Sequence, residues 1–157
     1  MSEEHESGFA RFPLEYITLG LLWRHDQHGY DLYRAFERDF GLIWKAGRSK
    51  FYATLDRLET AHYLESTLQP QEDHPPRRVY HLTAAGRAAF EEWVRQPVRP
   101  IRAVRVELLA KLHFYALLGL SGVDTLIDTQ AALCREEIAR WERLQMAHHE
   151  PFDALVY

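Results

Sequence analysis

Residues 46–86 read AGRSKFYATLDRLETAHYLESTLQPQEDHPPRRVYHLTAAG, and this stretch decides the fold. It begins with a basic turn at residues 48–50 and continues as a helix whose apolar residues Phe51, Leu55 and Leu58 share one face. Two short strand-like segments follow around a polar, proline-containing tip, and the second segment opens with a pair of arginines. A helix with polar residues outward, followed by a two-stranded ribbon with a cationic tip, is typical of a winged helix-turn-helix.

The rest of the chain predicts helices on both sides of this stretch. The first two predicted helices cover residues 13–23 and 30–40, and the third begins after an N-cap at Ser49. The fourth runs from a cap at Thr83 to residue 94, and the fifth covers residues 104–118. The last helix has about 25 residues and reaches Ala147. Pro97 and Pro100 interrupt the series and mark a linker. We therefore predict a mostly α fold (an α+β winged helix). A winged helix-turn-helix DNA-binding domain is expected at residues 10–96 and a C-terminal helical dimerisation region at residues 101–149.

Length and composition describe a folded protein. The 157 residues allow about one domain plus an appendage, and 46% hydrophobic with 27% charged residues is ordinary for a globular chain. Cys134 is the only cysteine, which excludes an internal disulfide and suits a reducing compartment. The longest strongly apolar run, residues 114–120, is far shorter than the ~20 residues that cross a bilayer, and the acidic start is unlike a signal peptide. We expect a soluble, cytoplasmic protein with no membrane partner.

Charge is distributed unevenly along the chain. The net charge of −4 argues mildly against nucleic-acid binding. Residues 44–58, however, hold four basic residues against one acidic residue, and the ribbon adds its pair of arginines. Acidic residues elsewhere would repel DNA from the other faces and leave one attractive patch.

The last predicted helix has the most regular pattern in the chain. Small and apolar residues recur at alternating intervals of four and three, which is the spacing of a coiled-coil interface. This terminal stripe consists of Ile127, Ala131, Cys134, Ile138 and Trp141, and Leu126 widens it. The stripe predicts a homodimer with Trp141 in the shared core. Alternatively, the two copies of Trp141, together with Tyr115, flank a small aromatic or hydrophobic effector.

Four segments together resemble the PadR family of bacterial transcriptional regulators. They are residues 28–32 (HGYDL), 52–59 (YATLDRLE), 77–86 (RRVYHLTAAG) and 105–112 (RVELLAKL). The resemblance implies a winged-helix fold, a homodimer held by C-terminal helices, and repression of a promoter that a small molecule relieves. Two positions depart from the family pattern. His62 stands where the family commonly has glycine after the recognition helix, so the turn there can differ, and an acidic pair at residues 72–73 would repel phosphate at the wing tip.

Eight side chains are candidates for contact with a double-stranded DNA operator. They are Lys45, Arg48, Ser49, Lys50, Tyr52, Arg57, Arg77 and Arg78. The candidates for phosphate contact are Lys45, Arg48, Lys50, Tyr52 and the two wing arginines. Ser49, Lys50 and Arg57 are the candidates for base edges. For Tyr52 the resemblance supplies the role, since a phenol at this position donates to phosphate in the family.

Structural interpretations of the same residues stay open. Arg57 could pair with Asp56 or Glu59 on the surface, and Tyr52 could pack against the first helix. Because side chains alternate along a strand, the two wing arginines should face opposite sides, so that one binds phosphate and the other is solvated or structural. Farther along, the series Arg99, Arg102 and Arg105 is expected to pair with acids such as Glu107.

Signatures of other function classes are absent from the sequence. It holds neither a nucleophile elbow nor a phosphate-cradling glycine loop, so no catalytic residue and no cofactor are expected. Its nine histidines form no recognised ligand spacing, so no metal is expected. Two alternatives remain: a protein–protein adaptor that keeps a winged-helix domain without DNA binding, and a small-molecule or metal sensor.

Overall fold

Four helices and a three-stranded sheet precede two longer helices. The structure, a computed structural model, describes residues 13–71, 76–99 and 101–147. In chain order the elements are α1 (Leu14–Leu21), β1 (Gln27–His28), α2 (Gly29–Phe40), α3 (Arg48–Thr60), β2 (Leu64–Gln69), β3 (Arg77–Leu82), α4 (Ala84–Arg95), α5 (Ile101–Leu118) and α6 (Val123–Ala147). This order confirms the predicted mostly helical, α+β winged-helix fold. Among the described helices, none combines the length and the apolar character needed to span a membrane.

Helix α1 forms the centre of the core, and all eight of its residues are buried. Gly20 allows two aromatic rings to approach this helix very closely: a β-carbon on Gly20 would lie 2.5 Å from atoms of both Phe90 and Phe114. Phe114 is fully buried, and its ring centre lies 5.0 Å from that of Phe90. Because Phe114 belongs to α5, the first C-terminal helix shares one core with the winged-helix elements.

The sheet has the strand order β1-β3-β2, and both pairings are antiparallel. In the β2–β3 ribbon, Leu64 pairs with Leu82 at the base and Gln69 pairs with Arg77 towards the tip. The ribbon matches the prediction, whereas β1 lies between the first two predicted helices, where no strand was predicted. Two residues are too few for the alternating pattern that reveals a strand. The acidic wing tip at residues 72–73 lies outside the described residues.

Helix α3 differs from the prediction at its start and ends in a left-handed turn. Gly47, not Ser49, is the N-cap residue, and Ser49 lies within the first turn. At the other end, His62 adopts φ 60°, the left-handed conformation that glycine favours. The Tyr63 amide donates to the Leu58 carbonyl at 2.9 Å, as in a Schellman motif. The turn therefore has ordinary Schellman geometry, and His62 adopts a backbone conformation in which its β-carbon crowds the neighbouring carbonyl oxygen.

A buried ionic cluster joins α4 to α5. Lys111 is 1% exposed, and its ammonium lies 2.9 Å from a carboxylate oxygen of Glu107 and donates to the Gln96 carbonyl at 2.7 Å. The indole N–H of Trp93 donates to the same Glu107 oxygen at 2.9 Å. Burial lowers the pKa of Lys111, and Glu107 offsets part of this shift.

This cluster corrects the expectation that Glu107 pairs with the arginine series. Glu107 is engaged by Lys111 and Trp93 instead. The side chain of Arg102 lies outside the described residues, as does Pro100 of the predicted linker. The described part of that linker is packed against the fold, since Val98 is 2% exposed and hydrogen-bonds to Gln130 of α6.

Candidate nucleic-acid interface

Helix α3 presents one buried face and one polar face. Phe51, Leu55 and Leu58 are fully buried, as their spacing predicted. Ser49, Ala53, Asp56 and Thr60 are exposed on the opposite face, also as predicted. The small side chain of Ala53 at the middle of this exposed face leaves room for another molecule to approach the helix backbone.

The start of α3 carries positive charge without a capping side chain. Arg48, Ser49 and Lys50 are all exposed, and so is Lys45 just before the helix. Two of these cations make cation–π contacts: the Arg48 guanidinium lies 5.5 Å from the Tyr33 ring centre, and the Lys50 ammonium lies 5.6 Å from the Trp44 ring centre. No acidic residue lies in the first turn. Because a helix N-terminus already carries partial positive charge, this arrangement favours an anion there.

A cleft lies beside α3, between the start of α2 and the ribbon. We call it the wing cleft; it has a volume of about 610 Å³ and is lined by His28, Gly29, Tyr30, Asp31, Tyr52, Asp56, Arg77, Arg78 and Tyr80. The start of α2 also has no side-chain cap, because His28 makes no capping hydrogen bond. The cleft therefore combines the uncapped start of α2 with three tyrosines, a histidine, two aspartates and the wing arginines beside α3.

Tyr52 packs against the start of α2. A β-carbon built on Gly29 would lie 3.0 Å from the Tyr52 ring and 3.5 Å from its hydroxyl oxygen. The structural interpretation named the first helix, whereas the contact described here is with the start of α2. The phenol lies in the wing cleft, half-buried, beside the backbone that opens α2.

The two wing arginines occupy different environments. Arg78 is held by α3: its guanidinium lies 2.5 Å from Glu59 and 3.4 Å from Asp56. It also donates to the Ser66 hydroxyl at 2.8 Å. Arg77, one residue earlier on β3, is exposed and has no ion pair among the described residues. Because neighbours on a strand point to opposite faces, Arg78 faces the helix while Arg77 faces away from it.

Arg57 is tied to α1, although its side chain is 55% exposed. Its guanidinium donates to Glu15 of α1 at 2.6 Å and to the Thr54 hydroxyl at 3.0 Å. The predicted surface partners Asp56 and Glu59 bind Arg78 instead, so that the alternative pairing given for Arg57 is wrong. Glu15 is itself buried, which makes this pair a tie between α1 and α3.

The sequence did not identify Asp56, Glu59 and Tyr30 as parts of this surface. Asp56 was predicted to point outward, but nothing local indicated that it shares an arginine with Glu59. The sequence feature that could have indicated this sharing is the i, i+3 spacing of the two carboxylates, followed along the chain by an arginine-bearing ribbon. Tyr30 is 53% exposed at the mouth of the wing cleft, and its position within the HGYDL segment was the only sequence sign of its place.

Comparisons with known proteins agree with this architecture. Residues 18–92 match the model of the transcriptional regulator PadR-like family. A Mycobacterium tuberculosis protein named as a probable transcriptional regulator is 32% identical over 92 residues, which cover 59% of this chain and 49% of that protein. The negative transcriptional regulator PadR of Bacillus subtilis is 27% identical over 119 residues, which cover 74% of this chain and 64% of the relative. The chain thus spans about half to just under two thirds of these curated relatives.

Solved structures share the fold. The crystal structure of Bacillus subtilis PadR in complex with operator DNA superposes with a TM-score of 0.53 at 24% identity, covering 85% of this chain and 73% of that one. A Streptococcus mutans protein superposes with a TM-score of 0.50 at 20% identity, covering 82% of this chain and 71% of that one. Both likenesses extend past the winged helix into the C-terminal helices.

Proposed function

This chain belongs to the PadR-like family of transcriptional regulators, and we propose that it is a ligand-responsive repressor that binds operator DNA as a homodimer. The observation that carries the proposal is the uncapped, basic start of α3 beside the wing cleft. Helix-terminal amides and nearby cations form an anion-binding surface, and the regularly spaced phosphates of a duplex are anions that such a surface can follow. The Bacillus subtilis relative is named a negative regulator, and its structure contains operator DNA.

The roles of the eight candidate residues follow from their surroundings. Lys45, Arg48, Lys50 and Tyr52 would bind phosphates along the start of α3, and Arg77 would do so from the wing. Ser49 and Lys50 would reach base edges. Arg78 and Arg57 are both paired with carboxylates within the chain. This pairing supports a structural role for Arg78. It also makes Arg57 a weaker candidate than Lys50 for contact with a base.

The homodimer would form through α6. Three large apolar residues of the terminal stripe are exposed in the single chain: Ile127 by 45%, Ile138 by 54% and Trp141 by 41%. Ala131 and Cys134 are half-buried between them. Leu126, which was expected to widen the stripe, is instead buried in the core of its own chain. An apolar stripe of this length, facing no other described element, supports pairing with a second copy.

The candidate effector contacts, Tyr115 and Trp141, differ in exposure. Tyr115 is buried within the chain's own core, whereas Trp141 is 41% exposed on α6. This difference favours Trp141 as the effector contact. We propose that a small aromatic or hydrophobic effector binds between the two copies of Trp141, and that its binding alters the spacing of the two α3 helices, about 34 Å apart on DNA.

Mobility-shift titration of the purified full chain tests the proposal, with DNA from upstream of its own gene as the probe. We expect saturable binding that weakens linearly in a plot of log affinity against log salt concentration. Sedimentation should give a dimer. A monomer, or no binding to any duplex at low ionic strength, would overturn the proposal in favour of a protein–protein adaptor with a winged-helix domain.

A further inference from the structure

Asp56 lies on the exposed face of α3, on the side next to the ribbon. Its side chain is 67% exposed. Ala53 lies one turn before it and Thr60 one turn after it, and both are exposed, so no bulky neighbour on this face covers the carboxylate. Under the proposed function, this is the face of the recognition helix that enters the major groove.

A carboxylate on such a face needs a positive charge close by, because the phosphates of DNA would repel it. Arg78 supplies a positive charge 3.4 Å from Oδ1 of Asp56. The guanidinium is itself fixed at two further points, since it binds Glu59 at 2.5 Å and the Ser66 hydroxyl at 2.8 Å. Oδ2 of Asp56 has no hydrogen-bond partner among the described residues. One oxygen is thus held from the wing, and the other remains able to accept a hydrogen bond.

We propose that Asp56 is a specificity-determining residue that accepts a hydrogen bond from the exocyclic amino group of a cytosine in each operator half-site. Among the major-groove edges, the cytosine N4 amino group is the donor that aspartate and glutamate side chains recognise. Arg78 acts as the positioning residue, because its guanidinium contacts one oxygen of Asp56 from the wing and shares its positive charge between Asp56 and Glu59. The inference rests on the proposed DNA binding and adds a base preference to it.

Selection from a random duplex library tests this inference, with the purified full chain and its variants as baits. The wild type should enrich a motif with one cytosine per half-site that depends on Asp56. Asp56→Ala should reduce the preference for that cytosine from about tenfold or more to near onefold and leave the other positions unchanged. Asp56→Asn should move the preference towards adenine, because asparagine pairs with the adenine N6 and N7 edge. Glu65→Gln, which removes an exposed carboxylate from β2, serves as the matched control and should keep the wild-type motif.

The role of Arg78 has its own readout in the same selection. Arg78→Gln should weaken the preference at the Asp56-dependent position and spare the others, whereas loss of a phosphate contact would weaken all sequences alike. An unchanged motif for both Asp56 variants overturns the inference and leaves the proposed function intact. Failure of the wild-type protein to enrich any motif overturns the proposed function, and the inference with it.

Discussion

Gln130 holds the backbone of Val98 with both ends of its side-chain amide. The Val98 N–H donates to Oε1 of Gln130 at 2.6 Å, and Nε2 of Gln130 donates to the Val98 carbonyl at 2.9 Å. Both residues are almost fully buried. The segment between α4 and α5 is therefore attached to α6, the helix proposed to form the dimer.

Replacing Gln130 with methionine should destabilise the fold. The substitution keeps the length of the side chain but leaves the buried N–H and carbonyl of Val98 without partners, which costs about 1–3 kcal/mol for a buried unsatisfied group. Urea unfolding measures the change. Glu136→Met, at an exposed position of the same helix on the face opposite the terminal stripe, is the control and should change the unfolding free energy by less than about 0.5 kcal/mol. Equal effects of the two variants would contradict the structural importance of the Gln130 contacts.

Glycine at position 62 should stabilise the end of α3. His62 has φ 60°, where a β-carbon is strained by roughly 1–2 kcal/mol, and glycine relieves this strain at the cost of some unfolded-chain entropy. We expect His62→Gly to be more stable than His62→Ala by about 1 kcal/mol. Thermal and urea unfolding of both variants provide the measurement. An alanine variant at least as stable as the glycine variant would show that the left-handed turn carries no strain.

The wing arginines should differ in their effect on salt dependence. Arg77→Ala should flatten the slope of log affinity against log salt concentration by about one unit, because one phosphate contact is lost for every sequence. Arg78→Ala should leave that slope nearly unchanged, since Glu59 and Asp56 already neutralise this guanidinium. Titrations on one duplex at several salt concentrations separate the two. Equal flattening by both variants would assign Arg78 to phosphate as well.

Lys111 should make stability depend on alkaline pH. Burial lowers its pKa below the ordinary value of 10.5, so that the unfolded chain binds more protons than the folded chain in the window between the lowered pKa and 10.5. Stability contributed by Lys111 therefore rises with pH across this window. Relative to Lys111→Met, the wild type should gain unfolding free energy from neutral pH to about pH 10. A constant difference between the two proteins would show that the lysine titrates normally in the fold.

Charge in the terminal stripe should dissociate the proposed dimer. Ile138→Glu would place a like charge from each copy in an apolar contact, where an unpaired ion is strongly unfavourable. We expect a shift to monomer in sedimentation experiments, with the helical circular dichroism retained. Thr129→Glu, on the opposite face of α6, should remain dimeric. A dimeric Ile138→Glu variant would remove the terminal stripe from the interface.

The features that the sequence predicted are those set by neighbouring residues. The buried face of α3 follows from the spacing of Phe51, Leu55 and Leu58, and the cap of α4 follows from Thr83, whose hydroxyl accepts from the Gly86 amide at 3.0 Å. Local spacing suffices for such features, because the interacting groups lie within one or two helical turns of each other.

The features that it did not predict depend on residues far apart in the chain. Arg57 binds Glu15, which is 42 residues away, and Arg78 binds Glu59, which is 19 residues away. Each arginine has closer acids along the chain, and only the packing of α1 and the ribbon on α3 decides which acid it meets. The same reasoning applies to Gln130, because a polar residue in a long helix gives no sign that it will be buried.

The close approach of Phe114 to Gly20 bears on whether the winged helix can fold without α5. With α5 removed, the space occupied by the Phe114 ring would open onto the C-terminal end of α1, and the neighbouring ring of Phe90 would meet water. A fragment ending near residue 96 would thus expose an apolar patch that α5 covers in the full chain. The winged-helix part of the chain is therefore expected to need α5 to cover this surface, and to aggregate when it is expressed without α5.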